Sequence, residues 1–238
     1  MITIVHLYPR SMNTYGDSGN IVCLQRRLQW RGIDFRVVGV EIGEQIPKQS
    51  SLYFIGGGQD ATQTVVATDL QRHTDRLQAD TAAGIPSLSI CGGYQLFGRG
   101  YVPFQGERLP GVNIFPAETF ASKTRMIGNL VIRLPQGLFG GEVTTAVGFE
   151  NHSGQTKLDP DALPLGDVLA GFGNMSDGKH EGCRIHSALG CYLHGSLLPK
   201  NPHIADWLLE RAAGYPLEKL DDQLELQAHQ ACVKNLQN

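Results

Sequence analysis

The chain has 238 residues, 41% of them hydrophobic and 18% charged, the proportions of a globular protein able to fill a core. A net charge of −3 removes the electrostatic case for nucleic-acid binding, and no apolar run reaches the roughly 18 residues that a membrane-spanning helix needs. Five cysteines, an odd set, suit a reducing cytoplasm and leave a thiol for chemistry.

The N-terminal run from Ile2 to Leu7 is rich in β-formers and lacks the basic n-region and small-residue cleavage site of a signal peptide, so it is expected to be a first strand. Ser18 to Arg31 places Ile21, Leu24 and Leu28 at helical spacing, with Gly32 as the stop. Phe35 to Val40 and Leu52 to Ile55 follow as strands, the second ending on Gly56-Gly57-Gly58. Thr64 to Ala83 reads as one helix closed by Gly84. Ser87 to Ile90 is a strand, and a short helix opens near Tyr94. This β-α-β-β-α-β-α order predicts an α/β fold, a mostly parallel open sheet with helices on both faces. Beyond Gly111 the texture changes to short strands, an added antiparallel portion in the C-terminal half, with Asp177-Gly178 as a hairpin turn. Asn201 to Ala213 closes the expected domain of residues 1–213. Residues 214–238 form a polar, partly helical tail, a candidate for contact with a partner.

Chemistry concentrates at Cys91. It sits between an apolar strand and Gly92-Gly93, where the helix N-terminus that follows stabilises negative charge on sulfur or on an oxyanion. A thiol nucleophile needs a base and an oxyanion hole. His194, at the end of the β segment Gly190 to His194, can face the same sheet edge, and His152 is the rival base. The Gly56-Gly57-Gly58 loop lacks the Lys-Ser/Thr of a P-loop, so its bare amides are better suited to half of an oxyanion hole. Cys191 and His194 have a Cys-x-x-His spacing but point to opposite faces of a strand, so no metal site is expected.

Gly57-Gly58, the elbow Cys91-Gly92-Gly93-Tyr94-Gln95 and the late Tyr192-Leu193-His194-Gly195 together resemble a class I glutamine amidotransferase of the cobyric acid synthase-like branch. Tyr15-Gly16-Asp17-Ser18-Gly19-Asn20 and Phe149-Glu150-Asn151-His152-Ser153-Gly154 narrow the resemblance to the GatD-type glutaminase subunits of lipid II isoglutaminyl synthase. The resemblance runs in order from about residue 3 to about residue 213. It implies that Cys91 forms a γ-glutamyl thioester, that His194 is base and acid, and that the amides of Gly58 and Gly92, beside Gly57, hold the oxyanion. It implies that Gln95 and Arg125 position L-glutamine, Arg125 through the α-carboxylate. It also implies a heterodimer with a Mur-ligase-like synthetase, MurT. That partner would bring ATP and Mg²⁺ and amidate the D-glutamate α-carboxylate of lipid II. The work would lie in the bacterial cytoplasm near the inner membrane face.

One departure stands out. Many class I amidotransferases place a glutamate two residues after the histidine, and here that position is Ser196. The orienting acid is then a distant acid of this chain, is replaced by a backbone carbonyl, or is lent by the partner, the last being the favoured expectation. The competing readings are an amidotransferase subunit for a corrinoid acceptor, a non-catalytic glutamine-binding relative, and a cysteine peptidase on the same sheet.

Overall fold

The run Ile2–Leu7 forms strand β1, and all six of its residues are buried. That is the signature of a parallel strand covered on both faces. The computed structural model describes residues 1–58, 60–140 and 143–234; Gln59 of the glycine loop and the last four residues of the expected tail lie outside it. Strands β2 (Phe35–Val40), β3 (Leu52–Ile55) and β4 (Ser87–Ile90) lie parallel to β1, and near the C-terminus β13 (Cys183–Ile185) and β14 (Ala188–Cys191) join them. The six strands run in the order β13-β14-β4-β3-β1-β2, and only the edge strand β13 is antiparallel.

The period of two along these strands divides the interior in two. Ile2, Ile4, Leu52, Phe54, Leu88 and Ile90 face one core, beneath helices α1 (Ser18–Trp30) and α5 (Pro202–Ala213). Val5, Leu7, Tyr53 and Ile55 face the other, beneath α2 (Asp60–Leu70), α3 (Thr74–Ala82) and α4 (Gly92–Phe97). Each buried aliphatic side chain contributes about 1.5–3 kcal/mol relative to exposure, so the sheet is held from both sides.

The sequence expects one helix over residues 64–83. The structure instead begins it at Asp60 and breaks it with a 3-10 turn over Gln71–His73. Arg72 pairs with Asp69 at 2.8 Å across three positions, a spacing that the tighter 3-10 turn eclipses. The expected strand 190–194 is also shorter. β14 stops at Cys191, because its parallel neighbour β4 ends at Ile90. His194 is then captured by a different strand, exchanging backbone hydrogen bonds with Phe149.

The remaining strands form two four-stranded sheets, the first mixed through one parallel pair and the second wholly antiparallel, as the sequence led one to expect. One holds β5 (Gly100–Val102), β6 (Leu109–Pro110), β7 (Ala117–Phe120) and β10 (Gln155–Leu158), in the order β10-β7-β5-β6. The other holds β8 (Met126–Arg133), β9 (Thr145–His152), β11 (Gly166–Ala170) and β12 (His180–Glu181), in the order β12-β11-β8-β9. After the left-handed Gly214 that caps α5, the tail forms helix α6 (Gln223–Lys234), which packs back on this chain. His229 of α6 is buried, with Nε2 2.8 Å from Thr145 Oγ1 and Nδ1 2.9 Å from the Lys200 carbonyl. No helix among the described residues is long and apolar enough to cross a membrane.

Candidate active site

Three strands of the parallel sheet deliver the site from their carboxyl ends, where α/β sheets place ligands. β3 runs into Gly56-Gly57-Gly58, β4 into Cys91, and β14 into the segment that ends at His194. Cys91 has φ +50° and ψ −108°, a conformation that a side-chain-bearing residue holds at a cost of about 1–3 kcal/mol. Two bonds enforce it: the Cys91 amide donates to the Cys191 carbonyl at 2.8 Å, and its carbonyl accepts from the Gln95 amide at 2.9 Å. The sulfur is thereby presented at the N-terminus of α4, half-buried at the cavity wall.

His194 is fully buried and held by an acid of this chain. Its Nδ1 lies 3.2 Å from Asp17 Oδ1, and the other carboxylate oxygen, Oδ2, accepts from the Gly57 amide at 2.8 Å. Asp17 is itself fully buried. Burial alone pulls the imidazole down, but the adjacent Cys91 and Asp17 outweigh it, raising His194 to about 10. Nε2 makes no hydrogen bond of regular geometry, which leaves it for Cys91. The expectation that the partner lends the orienting acid is therefore corrected, because Asp17 already occupies that position. Ser196 serves another purpose: it donates to the Gly16 carbonyl at 3.0 Å and fastens the turn that carries Asp17. That contact explains Gly19, where a Cβ would come within 2.1 Å of Ser196 Oγ.

The other sequence-derived residues divide. Gly58, Cys91, Gln95 and Arg125 line one cavity of about 440 Å³. Gly58 and Gly92 adjoin, since a Cβ at Gly92 would meet the Gly58 nitrogen at 3.0 Å. Neither amide donates a backbone bond of its own among the described residues, as an oxyanion hole requires. Gly57 is corrected from substrate contact to anchor. Its amide is spent on Asp17, its carbonyl accepts from Thr14, and a Cβ there would sit 2.9 Å from His194 Cε1. Gln95 borders the cavity, and its amide accepts from Gln63 and donates to Tyr192. These bonds fix the orientation of the amide at the cavity wall and leave one N–H and one oxygen lone pair uncommitted among the described residues. Arg125 is exposed, with Nε donating to Asn151 Oδ1 at 2.7 Å and no carboxylate partner among the described residues. His152, the rival base, is stacked on Tyr192 with centroids 3.6 Å apart, and its Nδ1 is bonded to the Gly154 carbonyl.

The strained thiol, the Asp17-held imidazole and the adjoining Gly58 and Gly92 amides together suit acyl transfer through sulfur. The CobB/CobQ-like glutamine amidotransferase domain matches residues 3–202. The chain belongs to that family. Among relatives of this amidotransferase, the GatD subunit of lipid II isoglutaminyl synthase (glutamine-hydrolyzing) from Staphylococcus aureus is 38% identical over 98% of this chain and 95% of its own length. The GatD subunit from Streptococcus pneumoniae is 35% identical over 89% of this chain and 80% of its own. A solved glutamine amidotransferase from Thermotoga maritima superposes with a TM-score of 0.58 at 16% identity, covering 99% of this chain and 93% of that one, which establishes the shared fold. The acid of the amidotransferase site escapes sequence reasoning because Asp17 and His194 are 177 positions apart. Its one signal was its place in the Tyr15-Gly16-Asp17 segment that helped carry the resemblance.

Proposed function

We propose that this amidotransferase is the glutaminase subunit of a lipid II-amidating complex. It hydrolyses L-glutamine through a Cys91 thioester and passes ammonia to an ATP-dependent, Mur-ligase-like partner. The observation that carries the acceptor is similarity along nearly the whole chain to GatD subunits. The chemistry is supported by the Asp17-His194 pair beside Cys91.

In this reading Cys91 sulfur attacks the side-chain amide carbon of glutamine, and the oxygen takes up negative charge against the Gly58 and Gly92 amides. His194, carrying the thiol proton, delivers it to the departing ammonia. The same imidazole then takes a proton from water, which cleaves the thioester and releases glutamate. Asp17 keeps the imidazole in the tautomer and orientation this exchange needs, the part a carboxylate plays in other nucleophile triads. Arg125 grips the substrate α-carboxylate. Ammonia in bulk water at neutral pH is mostly ammonium and not nucleophilic, which is the physical reason to release it beside a second site. On this reading ATP and Mg²⁺ belong to the partner. The complex works in the bacterial cytoplasm at the membrane face, where its lipid-linked acceptor lies.

The test measures glutamate release from L-glutamine, and amidation of lipid II with the partner added. Cys91→Ala should abolish both activities, and His194→Ala should lower glutamate release by about 1,000-fold or more. Undiminished turnover by Cys91→Ala would remove the proposed nucleophile. Glutaminase activity with no ATP-dependent amidation of lipid II would refute the acceptor.

A further inference from the structure

The turn that supplies Asp17 also carries a residue with no role in the reading above. Tyr15 lines the cavity together with Cys91 and Arg125. Its φ of +60° is unusual for a bulky side chain and marks a backbone held in place for a purpose. Its ring meets the His194 imidazole edge-on, with centroids 5.1 Å apart and planes at 75°.

The hydrogen bonds around its hydroxyl can be assigned without ambiguity. Arg125 Nε–H can only donate, so the Asn151 atom 2.7 Å away is the amide oxygen. Asn151 Nδ2 therefore faces Tyr15 and donates to the phenol oxygen at 2.7 Å. Arg125 Nη2 donates to the same oxygen at 3.4 Å. Both neighbours of the phenol oxygen are donors, so its own proton is left to donate elsewhere. Of the five guanidinium N–H groups, those on Nε and one on Nη2 are committed, and the rest remain for a ligand. The residues thus present a fork of donors and one hydroxyl donor to a single cavity, the complement of a carboxylate.

We infer that Tyr15 is a substrate-binding residue whose hydroxyl donates to the α-carboxylate of the glutamine held by Arg125, while its ring supports the face of His194. The inference rests on the proposed reading of Arg125 and adds to it. Carboxylate recognition and orientation of the base would meet in one side chain, two residues before Asp17.

The experiment uses the full chain carrying Cys91→Ala, so that bound glutamine is not consumed. Calorimetry measures the affinity for L-glutamine and for its α-methyl ester, which keeps the side-chain amide and the α-ammonium but not the carboxylate charge. Adding Tyr15→Phe, which keeps the ring, should weaken glutamine binding about tenfold and leave the ester within about twofold, the loss of one hydrogen bond to a charged group. Two results overturn the inference while leaving Arg125 in place. One is unchanged glutamine affinity with Tyr15→Phe while Arg125→Ala still loses it. The other is equal weakening of acid and ester, as a merely structural role would give. If Arg125→Ala leaves the preference for acid over ester intact, or the parent chain does not bind glutamine, the reading of Arg125 falls and this inference with it.

Discussion

In the proposed reaction Asp17 acts through two contacts with different consequences. One carboxylate oxygen orients His194, and the other ties the Gly57 amide, fixing the loop that leads to the Gly58 amide. Asp17→Asn keeps the shape but offers an N–H where one acceptor stood, so either His194 or Gly57 loses its partner. In a serine protease triad the equivalent change costs about 10⁴ in turnover by setting the wrong tautomer. Here we expect kcat for glutamate release to fall by about 100-fold or more, with KM changed far less, since no substrate contact is lost. A turnover within threefold of wild type, measured on the isolated chain and in the complex, would show that the base is oriented by something else.

At the scale of elements, the site depends on how closely α4 approaches the end of β3. The Gly93 amide donates to the Gly56 carbonyl at 3.1 Å. A Cβ at position 93 would lie 2.8 Å from that oxygen and 2.9 Å from the Ile55 carbonyl. Backbone atoms cannot rotate aside as a side chain can. Gly93→Ala should therefore push α4 off the loop, cost about 1–3 kcal/mol in denaturant unfolding, and lower glutaminase activity by separating the Gly58 and Gly92 amides. Wild-type stability together with wild-type kcat would contradict the packing described. This was partly legible in advance: the glycines at a strand-to-helix turn indicated an elbow. The break at Gln71–His73 and the early end of β14 were not legible, because partners distant in sequence set both.

Across the whole molecule, one buried cation ties the two chain ends together. Arg27 of α1 is only 1% exposed and forks onto Asp206 of α5 and Asp222 just before α6, with its closest contact to each at 2.6 Å. Arg31 shares Asp206 at 2.7 Å. Arg27→Met keeps much of the volume but removes the one cation that pairs with Asp222 among the described residues. Breaking one side of a buried pair costs about 3–5 kcal/mol, and the partial exposure of the aspartates moves this site to the lower end. Denaturant unfolding should report about 3 kcal/mol lost, and limited proteolysis should cut sooner between Gly214 and Asp222. An unshifted midpoint would mean that α6 is held mainly by His229 and its neighbours.

The parallel sheet with its flanking helices and the glycine elbow at Cys91 were present in the sequence. Each is written in local signals: apolar period, glycine placement and residue type over spans of ten residues or fewer. The sequence left three alternatives open for the acid behind His194, and the resemblance assigned Gly57 to the substrate. Only the tertiary structure decided these points. They depend on which side chain reaches a given donor when β1, β3, β4 and β14 are laid side by side, and chain positions far apart leave no periodic trace of that meeting. Asp17 and His194 become neighbours because the sheet order makes them so.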